Sequence, residues 1–109
     1  KDMVITGGEN VSSYEVEQAI GTHPAVSHVA VVGIPDPKWG EKIVAVVVPK
    51  DNQAVTADEV RGHAKSLLVG YKTPKEVMFV KHLPRSGTGK VQKNVLRQQC
   101  ADHFGESNA

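Results

Sequence analysis

Two nearly continuous apolar segments constrain the fold of this chain most strongly. They cover residues 26–34 and 43–48 and are rich in valine and isoleucine. β-Branched residues favour strands, and a strand without polar alternation is typical of a sheet covered on both faces. Pro35-Asp36-Pro37 follows the first segment and Pro49 the second, which predicts that the strands end there. We therefore predict two buried strands in a sheet that is covered on both sides.

Three further segments have the spacing of amphipathic helices. Ser12 or Ser13 can cap the first helix, and Thr56 with Glu59 forms a capping box at the start of the second. The third helix is expected over residues 91–103. The predicted inward residues are Val16, Ala19 and Ile20 in the first helix, Val60, Ala64, Leu67 and Leu68 in the second, and Val91, Val95 and Cys100 in the third.

The remaining elements are short. Residues 3–6 form an apolar run that Gly7-Gly8 stops, which predicts a strand and a tight turn, and residues 77–80 predict a third main strand. The predicted fold class is α+β: a small sheet of about three strands packed with about three helices, plus a short two-stranded element near the N-terminus. With 109 residues the chain suits one domain, over residues 1–104, followed by a frayed tail at 105–109.

Composition excludes several classes of function. The formal charge is +1, from 13 basic and 12 acidic residues, so there is no electrostatic signature of a nucleic-acid partner. The single cysteine, Cys100, excludes an internal disulfide and agrees with a cytoplasmic location. No apolar stretch approaches the roughly 18 residues of a transmembrane helix. The start, Lys1-Asp2-Met3-Val4, resembles neither a signal peptide nor an initiator, so we expect a piece of a longer protein.

The loop Ser86-Gly87-Thr88-Gly89-Lys90 has the composition of a phosphate-handling loop. Glycines allow the backbone to approach an anion, and a lysine supplies a compact positive charge. The loop is not a P-loop, because Pro84 stands where that motif has its first glycine and Val91 stands where it has a hydroxyl. Taken alone, the pentapeptide is better explained as a solvated turn with an exposed lysine than as a phosphate-handling loop.

The wider sequence resembles a known family. Pro84-Arg85-Ser86-Gly87-Thr88-Gly89-Lys90-Val91-Gln92-Lys93 is similar to the lysine signature of the adenylate-forming superfamily, which includes acyl- and aryl-CoA synthetases, peptide-synthetase adenylation domains and firefly luciferase. Four more segments match in the same order, at residues 1–11, 15–17, 33–41 and 71–75. The resemblance covers residues 1 to about 100 and identifies the chain as the C-terminal domain of such an enzyme.

The resemblance implies a two-step reaction. These enzymes join a carboxylic acid to ATP, giving an acyl-adenylate and pyrophosphate, and then transfer the acyl group to the thiol of CoA. A large N-terminal domain holds most of the acid and ATP site together with Mg²⁺, while the C-terminal domain swings between two orientations. By resemblance, Lys90 is the catalytic lysine of adenylation and Lys1 is the hinge residue. No metal site is expected on this chain, and the isolated chain is expected to be inactive.

The resemblance also implies contacts with CoA. Gly8 matches the glycine that lines the pantetheine tunnel, although Gly7-Gly8 could simply turn the chain. Trp39 and Tyr71 match positions that some relatives use against the CoA nucleotide, and Lys72 or Lys75 could meet its phosphates. Trp39 could instead pack as a cap on the sheet.

Other polar side chains receive structural interpretations. We expect Glu15 and Glu17 to lie on the helix surface near its positive end, Lys93 to be solvated, and Cys100 to be a small core residue. The five histidines, at positions 23, 28, 63, 82 and 103, show no metal-ligand spacing.

Three functions remain open at this stage. The first is an AMP-forming acid–CoA ligase. The segments Trp39-Gly40-Glu41 and Pro84-Arg85 resemble those of CoA ligases more closely than those of the other members of the superfamily. The second is a peptide-synthetase adenylation domain or a luciferase-like relative. The third is a stand-alone nucleotide- or CoA-binding module without catalysis. The acid substrate is not readable from this chain, so fatty, aromatic and short acids all remain open.

Overall fold

The computed structural model describes residues 2–105 and has three α-helices and five strands. The elements in chain order are β1 (Met3–Thr6), β2 (Glu9–Ser12), α1 (Ser13–Gly21), β3 (Val26–Asp36), β4 (Gly40–Pro49), α2 (Ala57–Leu67), a 3₁₀ turn (Gly70–Lys72), β5 (Glu76–Phe79) and α3 (Lys93–Phe104). The α+β class is confirmed, with three main strands and a short N-terminal pair. Lys1 and most of the predicted frayed tail lie outside the described residues.

Strand β4 is the centre of the sheet. It pairs with β3 in antiparallel register from Val26↔Pro49 to Asp36↔Gly40. Its other edge is shared by β5, which runs parallel to it from residue 76, and by β1, which joins it at Thr6↔Gly40. The β1–β2 hairpin therefore continues the main sheet and leaves β3 as an edge strand.

The sheet is covered on both faces, as the apolar strands predict. On one face, β1, β2, α1 and α2 close a core that includes Val4, Val11, Val16, Ile20 and Val60. On the other face, Leu96 and Cys100 of α3 pack with Leu83 onto alternate residues of β3 and β4. The helices thus form two layers, with α1 and α2 on one side of the sheet and α3 on the other.

The starts of α1 and α2 follow the capping signals. The Ser12 hydroxyl accepts a hydrogen bond from the Glu15 N–H at 3.4 Å, so Ser12 is the cap of α1. Thr56 and Glu59 form the predicted capping box, with bonds of 3.1 and 2.8 Å. These side chains satisfy N–H groups that a helix leaves without partners in its first turn.

Several predicted boundaries and inward residues are wrong. Helix α2 ends at Leu67, whose side chain is exposed, and α3 begins at Lys93 because Val91 pairs with Arg85 in a β-bridge. The buried residues in α3 are Leu96 and, as predicted, Cys100, while Val95 is only half-buried. Strand β3 continues through Pro35, which an edge strand tolerates because one of its sides needs no N–H donors.

Among residues 2–105, no helix combines the length and the apolar character needed to cross a bilayer.

Candidate functional site

The loop that carries Lys90 is a closed turn. The Gly89 N–H donates to the Ser86 carbonyl oxygen and the Ser86 N–H donates to the Lys90 carbonyl oxygen, both at 2.8 Å. Gly89 has φ +86°, which glycine adopts without the steric cost of a Cβ. Arg85 Nη1 also donates to the Gly89 carbonyl oxygen at 2.9 Å. The loop is therefore held at its base while the Lys90 side chain stays exposed.

Lys90 lies in a shallow depression together with Asp2, Lys93 and Arg97. Within residues 2–105, no carboxylate forms an ion pair with Lys90, so its ammonium is available to an anion brought by a ligand. Asp2 directly follows the residue that the resemblance assigns to the hinge. The structure thus places the predicted catalytic lysine and Asp2 on the lining of the same depression.

Lys93 is not solvated, contrary to the prediction. Its ammonium forms ion pairs with Asp2 and with Glu17, the latter at 2.6 Å, and its side chain is only 21% exposed. Glu17 is equally not a simple surface residue, since its carboxylate also accepts the Val31 N–H at 2.8 Å. The sequence did not predict this cluster because its members lie 91 and 76 positions apart in the chain.

Asp2 is held by several groups. Burial by itself raises the pKa of the Asp2 carboxyl, but hydrogen bonds from Lys93 and Ser13 and the charges of Lys93 and Arg97 outweigh it and lower the pKa below the ordinary 3.8. The Asp2 carbonyl oxygen also accepts the Ser13 N–H at 3.1 Å and the Ser13 hydroxyl at 3.0 Å. The start of the described chain is therefore anchored by both backbone and side chain.

The Gly7-Gly8 turn forms a second candidate region. Gly7 and Gly8 have φ +58° and +83°, and Thr6 pairs with Glu9, which is the geometry of a two-residue hairpin turn. A Cβ at Gly8 would meet no atom within 4 Å, so its outer side is open. The turn explanation for these glycines is thus correct, and a channel role for Gly8 stays a prediction.

Trp39 and Lys75 are brought together beside this turn. The Lys75 ammonium lies 4.7 Å from the centre of the Trp39 ring, and the Lys38 ammonium lies 4.9 Å from it. The indole is 36% exposed, so it is not a fully packed cap on the sheet. A partly open aromatic ring with two ammonium groups over it can offer stacking and positive charge to one ligand.

Tyr71 and Lys72 belong to the 3₁₀ turn that precedes β5. Tyr71 is 46% exposed, and Lys72 lies 6.0 Å from its ring centre. Lys72 is engaged by Glu15 at 2.8 Å, and this hydrogen bond raises the pKa of the Lys72 ammonium. The Thr73 hydroxyl is buried with no hydrogen-bond partner among the described residues. Of the two candidate phosphate-binding lysines, Lys72 is thus paired with a carboxylate, whereas Lys75 forms no ion pair among the described residues.

Cys100 and the acidic residues offer no further chemistry. Burial raises the pKa of the Cys100 thiol to about 11, so the thiol is protonated at neutral pH, and its core role is confirmed. In the described part of the chain, no three His, Cys, Asp or Glu side chains come together as metal ligands would.

The model of the family described as "AMP-binding enzyme C-terminal domain" matches residues 15–90, which is most of the chain. The chain belongs to this family. The AMP-binding C-terminal domain is 47% identical over 105 residues to a peroxisomal trans-cinnamate:CoA ligase of Petunia hybrida, covering 96% of this chain and 18% of the ligase. It is 46% identical over 99 residues to a feruloyl-CoA synthase of Amycolatopsis, covering 91% of this chain and 20% of the synthase.

A solved structure agrees with this assignment. The apo structure of MatB from Rhodopseudomonas palustris superposes with a TM-score of 0.91 at 43% identity, covering 95% of this chain and 21% of MatB. The AMP-binding C-terminal domain thus spans about a fifth of the length of the relatives it matches.

Within the AMP-binding C-terminal domain, the two candidate regions lie at opposite ends of β1. Lys90 lines one depression with Asp2, which directly precedes the strand, and the Gly7-Gly8 turn directly follows the strand. Strand β1 has four residues, so the Cα atoms at its two ends are roughly 10 Å apart.

Proposed function

We propose that this chain is the mobile C-terminal domain of an AMP-forming carboxylic acid–CoA ligase. The domain is proposed to span residues 1–104, starting at the hinge residue Lys1. Its partners are the N-terminal domain of the same protein, ATP, CoA and a carboxylic acid. Membership of the AMP-binding C-terminal family supports this proposal, as does the identity of about 47% to an enzyme named as a CoA ligase.

The main support for this proposal is that Lys90 is exposed on a loop whose base is fixed by backbone hydrogen bonds. In adenylation, a carboxylate oxygen attacks the α-phosphorus of ATP, a new P–O bond forms, and the bond to pyrophosphate breaks. Negative charge gathers on both reactants as they approach. A lysine ammonium placed between them offsets this repulsion and stabilises the transition state. Lys90 suits this role because no described carboxylate of its own domain neutralises it.

The region around Gly8 suits the second step. There the CoA thiolate attacks the carbonyl carbon of the acyl-adenylate, a thioester forms, and AMP leaves. A residue without a Cβ leaves room for the pantetheine arm beside the Gly8 backbone, which is open on its outer side. Trp39 and Tyr71 would stack on the CoA adenine, and Lys75, with a lesser contribution from Lys72, would meet its phosphates.

The separation of the two regions favours a rotation between the steps. Because Lys90 and Gly8 lie at opposite ends of β1, a turn at Lys1 would exchange which of them faces a shared cleft. The Mg²⁺ that accompanies ATP is proposed to be held mainly by the N-terminal domain, where it would neutralise phosphate charge. We further propose that the enzyme is cytoplasmic.

The test uses the full-length ligase that contains this chain and measures the two half-reactions separately. Pyrophosphate release is assayed with ATP and a panel of acids, and thioester formation is assayed with CoA and supplied acyl-adenylate. We expect Lys90→Ala to lower adenylation roughly 10²–10³-fold and to spare thioester formation. Lys81→Ala, an exposed lysine in the same connection, is the matched control and should change neither. Equal loss in both half-reactions would contradict the proposal.

A further inference from the structure

The start of α3 departs from the usual pattern of helix termini. Its first residue is the cation Lys93, its first turn has no acidic residue, and its cap residue, Gln92, forms no side-chain capping bond. A positive charge at a helix N-terminus is unfavourable because the helix dipole already places partial positive charge there. A departure of this kind from local preference indicates that Lys93 is needed for interactions elsewhere.

Those interactions connect the two helix layers on opposite sides of the sheet. Helix α3 packs on one face of the sheet, whereas the residues that Lys93 contacts belong to the other layer. Its ammonium meets Glu17 of α1 at 2.6 Å, the Ser13 hydroxyl at 3.3 Å, and the carboxylate of Asp2. Glu17 in turn accepts the Val31 N–H at the edge of β3. The cluster therefore passes around this edge of the sheet.

The charges in the cluster balance one another. Asp2 and Glu17 face Lys93, and Arg97 adds a second cation 3.4 Å from Asp2. Without Lys93, the half-buried Glu17 would keep only the Val31 N–H as a donor among the described residues, and it would repel Asp2. Removal of one partner from a partly buried pair is costly because it leaves an uncompensated charge.

Lys93 is also close to the loop of the proposed catalytic lysine. It follows Lys90 by three residues, and the Gln92 N–H between them donates to the Pro84 carbonyl oxygen at 2.8 Å, which closes the base of the loop. A shift of the first turn of α3 would therefore move the loop and Lys90 with it.

We propose that Lys93 is a positioning residue that fixes the Lys90 loop to Asp2, so that Lys90 turns as one body with the segment after the hinge. This inference rests on the proposed function. Lys93 does not touch the reacting atoms in this proposal, since its ammonium is already engaged by Asp2 and Glu17. A misplacement of about 1 Å is enough to cost up to roughly 10²-fold in rate.

The test replaces Lys93 in the full-length ligase. Lys93→Met keeps the length of the side chain and removes the charge, so we expect a loss of roughly 10- to 100-fold in kcat of adenylation with the KM for ATP unchanged. Thioester formation from supplied acyl-adenylate should stay within about two-fold, and Lys93→Arg should restore most of the adenylation rate. Lys65→Met, at an exposed helix position, is the matched control and should change neither step.

A second variant tests the same contact from its other side. Asp2→Asn should give the same selective loss, and the double variant Asp2→Asn/Lys93→Met should lose little more than either single one, because both act on one interaction. If Lys93→Met does not fold, the rates of Asp2→Asn alone decide whether the positioning role holds. An unchanged rate of adenylation, or an equal loss in both half-reactions, overturns the positioning role.

The Lys90→Ala variant separates this proposal from the one on which it rests. If Lys90→Ala is selectively defective in adenylation and neither Lys93→Met nor Asp2→Asn is, the proposed function stands and the positioning role is wrong. If Lys90→Ala has no selective defect, the proposed function fails, and the positioning role fails with it.

Discussion

The indole ring of Trp39 lies against Gly7, where an added Cβ would come within 3.1 Å of Trp39 Cε3, and the Gly7 N–H donates to the Trp39 carbonyl oxygen at 2.8 Å. This contact joins the turn of the β1–β2 hairpin to the connection between β3 and β4. It brings a candidate CoA-binding aromatic residue beside the candidate pantetheine channel.

The first prediction concerns the stability of this contact. Gly7 has φ +58°, so Gly7→Ala places a Cβ in a left-handed conformation and also against the indole. We expect the free energy of unfolding to fall by about 1–3 kcal/mol, measured by urea denaturation of the chain. Gly62→Ala is the control, because Gly62 lies in α2 with no atom near its Cβ position, and it should stabilise by about 0.5–1 kcal/mol. Equal stability of Gly7→Ala and the parent would contradict the contact.

The second prediction concerns the channel at Gly8. Gly8→Leu in the full-length ligase should lower kcat/KM for CoA in thioester formation roughly 10- to 100-fold and leave adenylation unchanged, because a leucine would fill space that pantetheine needs. Gly8→Ala carries the same φ of +83° and controls for backbone strain. If Gly8→Leu lowers kcat/KM for CoA no more than Gly8→Ala does, Gly8 serves only the turn.

The third prediction separates the candidate CoA-binding side chains. Trp39→Leu should raise the KM for CoA roughly 10-fold through loss of stacking, with the KM for ATP unchanged. Lys75→Met should raise the KM for CoA as well, and its effect should shrink at high salt because charge contacts near the surface are screened. Lys72→Met should have the smaller effect, since Glu15 already engages Lys72. A larger effect from Lys72→Met than from Lys75→Met would reverse the assignment.

The fourth prediction concerns acid stability. The pKa of Asp2 is lower in the folded chain than its ordinary 3.8, so its interactions stabilise the fold above about pH 4 and are lost as the pH falls through the folded value. The difference in unfolding free energy between the parent and Asp2→Asn should therefore be constant from about pH 5 upward and shrink below about pH 4. In the Lys93→Met background the pKa of Asp2 in the folded chain should lie closer to its unfolded value, so the part of the difference that depends on pH should be smaller. A difference that persists to pH 2 would show that the Asp2 charge has no part in it.

Local signals in the sequence predicted the starts of α1 and α2 and the hairpin turn. Thr56 and Glu59 form the capping box that their spacing indicates, and Gly7-Gly8 form the turn. Such features depend on residues within three or four positions of one another, so they are readable from the chain alone. Burial of both faces of β3 and β4 could be predicted for the same reason, because each strand is a nearly continuous apolar run.

Contacts between distant residues were not predictable. Lys93 and Asp2 are 91 positions apart, and nothing in either neighbourhood indicates their pairing. The choice of Leu96 over Val95 as the buried residue of α3 depends on where the helix begins, which the Arg85–Val91 bridge shifts by two residues. Of the candidate site, the identity of Lys90 came from a motif, whereas its proximity to Asp2 came only from the fold.

The passage of the Lys93 cluster around the edge of β3 has a mechanical consequence. Apolar packing has no preferred direction, so two layers held by it alone resist separation better than they resist sliding. A charged hydrogen bond has a fixed direction and opposes such shear. We therefore expect the link from α3 to Asp2 and Glu17 to oppose sliding between the two helix layers, so that a rotation at Asp2 is transmitted to the Lys90 loop.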